Sequence, residues 1–100
     1  MQKYNKLVRD RIPEILDAKN ISYEKRIASL GEYKVELIKK FKEEFNEFME
    51  MNDAEELADI IEVIEALKKL PNYKNTEKIR QKKFREKGGF EKRIILKGKK

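Results

Sequence analysis

The sequence predicts a mainly α-helical single domain, residues 1–100: an antiparallel helical hairpin, a basic third helix and short strand-like segments. Two long stretches repeat apolar residues every three or four positions, which is the spacing of an amphipathic helix. Each stretch opens with a helix-capping pattern. Only 39% of the residues are hydrophobic while 44% are charged, which leaves little material for a core. We therefore expect a second copy to complete the helical bundle.

The chain begins with short elements. Residues 4–9 predict an extended opening segment. Asp10 is the expected cap of a short helix that tolerates Pro13 in its first turn and ends near Lys19. Residues 21–27 alternate apolar and polar side chains, which predicts a short strand.

Two longer helices form the hairpin. Ser29 and Glu32 have the spacing of a capping box, which predicts a helix over about 31–51. Asp53 begins a second pattern of this kind, which predicts a helix over about 54–70. Because the connection between them is short, the two helices should be antiparallel neighbours.

The C-terminal part is basic. After Pro71 stops the second helix, a third is predicted over Thr76–Lys87, with the glycines at 88–89 as its stop. Residues 90–96 predict a last short strand that pairs with residues 21–27.

Four carboxylates lie in two brackets, one on each helix of the hairpin. The members of each bracket are three residues apart and so share a helix face. Counted from the turn, the two brackets lie at similar heights on facing helices. The four residues are Glu44, Glu47, Glu56 and Asp59.

Two of these carboxylates point where core residues belong. On the helical wheel Glu44 falls between Leu37 and Tyr33, and Glu56 falls inside the apolar face of its own helix. Burying carboxylates is costly unless a positive group holds them. The chain has no Cys and no His, so the ligands would be oxygen atoms, which favours Mg²⁺ or alternatively Mn²⁺. The alternative is that the carboxylates have this spacing by chance on helices that face solvent.

Charge divides the chain. Residues 32–65 contain 12 acidic and 4 basic residues, whereas residues 74–100 contain 12 basic and 3 acidic residues. If the acidic residues bind a metal ion and the basic residues bind phosphate groups, the chain would suit a metal–polyphosphate substrate. A basic nucleic-acid-binding helical module without catalysis, and a structural hairpin that pairs with another protein, remain alternatives. No long apolar run or apolar leader occurs, so we expect a cytoplasmic protein without a membrane partner.

Three motifs together resemble a known family. Residues 43–47, EEFNE, and 56–62, ELADIIE, are similar to the E-E-x-x-E … E-L-x-D pattern of the MazG-like all-α nucleoside triphosphate pyrophosphohydrolases. The opening at 5–14, NKLVRDRIPE, and the ending at 83–90, KFREKGGF, resemble the phosphoribosyl-ATP pyrophosphohydrolase-like branch. The gap between the two acidic motifs is shorter than in better-known members.

The resemblance implies a helical homodimer or homotetramer and Mg²⁺-dependent cleavage of a nucleotide between its α and β phosphates. It also implies that the four bracket carboxylates hold the metal. Without His, a carboxylate is expected to accept the proton of the attacking water, either Glu44 or Glu47. Phosphate contacts are expected from the basic helix and from the N-terminal motif, whose arginines have salt bridges to the acidic helices as their alternative. These basic residues are Arg80, Lys83, Lys87, Arg9 and Arg11.

Overall fold

The chain is mainly helical in a computed structural model that describes residues 5–99. The α-helices of this range are α1, Ile12–Ala18; α2, Leu30–Met51; α3, Ala54–Lys68; and α4, Thr76–Lys87, with a 3₁₀ turn over Pro71–Tyr73. The predicted mainly α class is confirmed. The first residue of the predicted opening segment, Tyr4, lies outside the described residues.

Two compact units make up the chain, and they divide at the end of α3. The first extends to Leu67 and contains α1, α2 and almost all of α3. The second begins at Lys68 and contains the 3₁₀ turn, α4 and the C-terminal segment.

Both predicted caps of the long helices form. The Ser29 hydroxyl accepts a hydrogen bond from the Glu32 amide at 3.2 Å, and the Asp53 carboxylate accepts one from the Glu56 amide at 3.0 Å. Asn52 closes α2 in the left-handed conformation, with φ of 53°, which Asn tolerates better than most residues. Only Asn52 and Asp53 separate α2 from α3, so the connection is as short as expected.

The start of α1 differs from its prediction. Arg11, and not Asp10, directly precedes the helix, and no side chain caps it. Asp10 lies in the turn before the helix, one residue too early for its carboxylate to take the cap position. Pro13 lies in the first turn as predicted.

The ends of α3 and α4 follow from Pro and Gly. Helix α3 ends at Lys68, two residues before the predicted end, because Leu70 is extended ahead of Pro71. A residue before proline is disfavoured in the helical conformation. Helix α4 has its predicted bounds and ends at Gly88, whose φ of 78° suits glycine.

The strand predicted over 21–27 is wrong, and the segment is an irregular connection. Side chains hold it in place: the Tyr23 hydroxyl donates to Asp17 at 2.8 Å, and the Arg26 guanidinium donates to both oxygens of Glu32 at 2.6 Å. The hydrogen bonds from Arg26 lower the pKa of Glu32. Alternation alone was not sufficient, because a strand also needs a backbone partner.

The strand predicted over 90–96 is also wrong, and its pairing with 21–27 does not form. The segment is exposed, and Phe90 retains 97% of its accessible surface. Its apolar side chains stay mostly exposed, so little hydrophobic gain offsets the entropy of ordering a two-stranded pair.

The buried part of the first unit is small. Leu37 of α2 and both Ile60 and Val63 of α3 are its buried apolar residues within the described range. Phe41 and Phe45, which the periodicity also assigned to the apolar face, stay more than one third exposed. They belong to an exposed row along the two long helices, called here the apolar stripe. It consists of Ile38, Phe41, Phe45 and Met49 on α2, with Leu57 and Ile61 on α3.

Candidate metal site

Helices α2 and α3 bring three of the four bracket carboxylates together. One oxygen from each of Glu44, Glu56 and Asp59 lies within 4.8 Å of the others. Glu47 is outside this group, although its charge acts on both Glu44 and Glu56. These three residues are called the carboxylate cluster below. The two-residue connection and the Asp53 cap set the heights at which α2 and α3 present their acids.

Glu44 is the most unusual member of the carboxylate cluster. It is 7% exposed and is the one charged residue of the described range that is buried. Its Oε2 atom has no hydrogen-bond partner, and neither does the enclosed Oε2 atom of Glu56. Buried polar atoms without partners are rare in native proteins, because each carries an uncompensated desolvation cost. The predicted burial of Glu44 is therefore confirmed, and two enclosed oxygens remain unsatisfied.

The electrostatics of the cluster oppose ionisation. Burial raises the pKa of Glu44, and the charge of Glu47 adds to this effect while Lys40 opposes it. Burial also raises the pKa of Glu56, together with the nearby charges of Glu47 and Asp59. Glu47 lies within hydrogen-bonding reach of Glu56, a contact that becomes favourable only when one of the two carboxyl groups is protonated. The site therefore holds like charges close together.

Basic side chains compensate part of this charge, and two of them were not predicted from the sequence. The Lys40 ammonium lies 3.6 Å from Glu44 and 3.8 Å from Glu43, and the Lys6 ammonium lies 3.6 Å from Glu43. The contact between Lys40 and Glu44 could have been predicted, because residues four apart on a helix are neighbours. No local signal could have revealed the Lys6 contact, because it joins residues far apart in the sequence.

The predicted phosphate-binding residues have different surroundings. Arg9 donates to Asp59 at 2.7 Å, so the salt bridge to an acidic helix that was expected as the alternative is present. Arg11 is exposed and has no ion-pair partner among residues 5–99. Arg80 pairs with Glu77, which is also on α4. Hydrogen bonds from Arg80 and Lys68 lower the pKa of Glu77 to about 2. The two remaining residues are exposed on α4 in the second unit, and they are Lys83 and Lys87.

The carboxylate cluster fits a hard divalent cation. Magnesium binds oxygen ligands at about 2.0–2.1 Å, so opposite ligands of one ion lie roughly 4.2 Å apart. Cluster oxygens within 4.8 Å of one another need only small side-chain movements to reach that spacing. The unpartnered Oε2 atoms of Glu44 and Glu56 are acceptors that a cation would satisfy.

The raised pKa values predict how the stability of the metal-free protein depends on pH. Because the folded chain holds protons on Glu44 and Glu56 more tightly than the unfolded chain, stability should rise as pH falls through their raised pKa values. The gain should be complete near the ordinary value of 4.5. Glu32 and Glu77 have lowered pKa values, so the stability that their ion pairs contribute is lost only as pH falls below the ordinary value of 4.5.

Thermal melts in EDTA between pH of about 8 and 4.5 check this expectation. The double variant Glu44→Gln/Glu56→Gln should lose most of the rise in Tm that the unmodified chain shows on acidification. A Tm of the unmodified chain that falls steadily over this window would contradict the prediction.

No protein-family model, no curated protein and no solved structure matches this chain. Among the described residues, no helix combines the length and the apolar character needed to cross a membrane.

Proposed function

We propose that this protein is a Mg²⁺-dependent nucleotide pyrophosphohydrolase of the MazG-like, phosphoribosyl-ATP pyrophosphohydrolase-like type. It would cleave the α–β phosphoanhydride of a standard or non-standard nucleoside triphosphate to the monophosphate and pyrophosphate, as a cytoplasmic housekeeping activity. One observation carries the proposal: Glu44 is buried within the carboxylate cluster and its Oε2 atom has no partner. On a solvated acidic surface, water would donate hydrogen bonds to such an oxygen atom, and it would not lack a partner.

Glu44, Glu56 and Asp59 would hold the metal, with Glu47 at the edge of the site. When bound, Mg²⁺ supplies charge neutralisation for phosphate oxygens and lowers the pKa of a coordinated water. Mn²⁺ has compatible ligand preferences. Glu47 is half-buried, so a water molecule can reach its carboxylate more easily than that of enclosed Glu44. This placement favours Glu47 over Glu44 as the acceptor of the water proton.

Phosphate binding would draw first on the basic residues that have no ion-pair partner among the described residues. Lys83 and Lys87 are exposed and have no ion-pair partner within residues 5–99, so their charges are available to an anion. Arg80 is less suited, because Glu77 already holds its guanidinium. Arg11 is available in the same sense as the two lysines.

The test is pyrophosphate release from a panel of ribo-, deoxyribo- and modified nucleoside triphosphates, each measured with Mg²⁺ and with EDTA. Release that requires Mg²⁺ would establish the reaction class and identify the preferred base and sugar. The panel should include phosphoribosyl-ATP. Absence of release from every member would overturn the proposal.

A basic nucleic-acid-binding module is the second candidate. Phe84 and Phe90 are exposed in a segment, residues 74–100, that has 12 basic and 3 acidic residues. Exposed aromatic rings among cations suit base stacking and phosphate contact. This function would appear as binding of single-stranded RNA or DNA that weakens steeply with salt and does not depend on Glu44. It leaves the buried carboxylate of Glu44 without a role.

The apolar stripe supports assembly with a second copy of this chain, as a homodimer or homotetramer. Within the stripe, Phe45 is 47% exposed and Met49 is 66% exposed. At about 100° per residue, Ile38, Phe45 and Met49 lie about 100–140° around α2 from Glu44, and Phe41 lies about 60° from it. Leu57 and Ile61 lie about 100–140° around α3 from Glu56, so in an antiparallel helix pair the stripe residues lie on the same side. Exposed apolar residues grouped on one side of a helix pair are typical of an interaction site. A second copy is the partner that would also enlarge the small core.

Phe45→Glu is expected to shift the protein to a lower oligomeric state, because a charge in the stripe must be desolvated on association. The molar mass from light scattering after size-exclusion chromatography measures the change. Ile79→Glu, on an exposed apolar residue of α4, is the matched control and should leave the mass unchanged. A chain that is already monomeric at about 100 μM would contradict the assembly.

A further inference from the structure

The residues before α1 contribute two cations to the acidic helices of the same unit. Lys6 lies 3.6 Å from Glu43 of α2, and Arg9 donates to Asp59 of α3 at 2.7 Å. Of these two contacts, only that of Arg9 reaches a member of the carboxylate cluster. Among the described residues, Arg9 is thus the cation that contacts the cluster from outside α2 and α3.

The Arg9–Asp59 ion pair is well placed to open. The Arg9 side chain is 57% exposed, and exposed ion pairs contribute little to stability. A dication bound by Asp59 would lie roughly 5 Å from this guanidinium, where their repulsion in water corresponds to about a tenfold weaker affinity for the metal. Rotating the guanidinium away from Asp59 removes that cost. An arginine beside a bound metal is then free to take an anionic ligand in bidentate fashion.

We propose that Arg9 is a displaceable counter-ion of the site: it neutralises Asp59 in the metal-free protein, yields to the divalent metal, and then binds a phosphate group of the metal-bound substrate. This inference rests on the proposed function and adds an order of events to it. Arg9 acts as a positioning residue toward the metal and as a binding residue toward phosphate. Its removal should therefore affect the two ligands in opposite directions.

The test compares the full-length chain with Arg9→Gln, using Mn²⁺ as the metal probe and inorganic pyrophosphate as the anion probe. Free Mn²⁺ is measured by electron paramagnetic resonance, and pyrophosphate binding by calorimetry at saturating Mg²⁺. Arg9→Gln should bind Mn²⁺ about tenfold more tightly, because the competing charge is gone. It should bind pyrophosphate about tenfold more weakly.

Two further variants isolate the cause. Lys25→Gln removes one exposed positive charge elsewhere in the first unit and should change both dissociation constants less than twofold. Arg9→Lys retains the charge, so its affinity for Mn²⁺ should stay near that of the unmodified chain. Arg9→Met is a second neutral variant, with circular dichroism as the check that each variant folds.

The outcomes separate the two proposals. Unchanged or weaker Mn²⁺ binding by both neutral Arg9 variants, with normal binding by the unmodified chain, would overturn the role of Arg9 alone. Absence of Mn²⁺ binding by the unmodified chain would overturn the proposed metal site itself. Tighter Mn²⁺ binding with unchanged pyrophosphate binding would overturn the phosphate step.

Discussion

Glu44→Gln is expected to lower Mg²⁺-dependent pyrophosphate release at least 100-fold. A neutral amide at this position removes the buried carboxylate of the carboxylate cluster, and with it a negative charge that would pair with a cation. Loss of one group that stabilises transition-state charge typically costs 10²–10³ in rate, or roughly 3–4 kcal/mol. Loss of the metal would add to this.

Pyrophosphate release by the purified variant, at the best substrate of the panel, measures the effect. Glu50→Gln is the matched control, since it makes the same change on an exposed position of α2 and should retain activity. The metal-free Glu44→Gln protein should melt at a higher temperature than the unmodified chain, because burial already disfavours the ionised Glu44 carboxyl. Full activity in Glu44→Gln would exclude Glu44 from the metal site.

Mg²⁺ is expected to raise the Tm of the unmodified chain by about 10 °C or more. Ligand binding to the folded state at about 100 times the dissociation constant contributes about 2.7 kcal/mol of stability. For a domain of this size each kcal/mol corresponds to about 4–8 °C. The physical reason is that the dication removes the repulsion among the cluster carboxylates and satisfies the unpartnered oxygens of Glu44 and Glu56.

Thermal melts in EDTA and in millimolar MgCl₂, at matched ionic strength, test this expectation. The double variant Glu44→Gln/Glu56→Gln provides the control, and its Tm should not depend on Mg²⁺. An equal rise in both proteins would indicate a general salt effect, and no rise in the unmodified chain would count against the metal site.

Local features of the sequence were sufficient to predict the helices. The caps at Ser29 and Asp53 and the stop at Gly88 depend on hydrogen bonds and backbone angles within a few residues. Helical periodicity also predicted that Glu44 lies among buried residues, because position on one helix is a local property.

Contacts between distant segments could not be predicted in this way. The periodicity did not separate buried Leu37 from exposed Phe45, since that depends on which elements cover each side of α2. Alternation in residues 21–27 indicated a strand, but the structure offers the segment side-chain anchors and no backbone partner. Strand formation requires hydrogen bonds to another part of the chain.

The sequence by itself determined the helical class, the bounds of α4, the caps of α2 and α3, and the two carboxylate brackets, because each depends on neighbours within one or two turns. Only the tertiary structure decided that Glu44 meets Glu56 and Asp59 while Glu47 stays at the edge, and that Arg9 pairs with Asp59. Those arrangements depend on how helices pack and how the N-terminal segment returns to them. Such contacts join residues up to 50 positions apart, as Arg9 and Asp59 are, and leave no local pattern in the sequence.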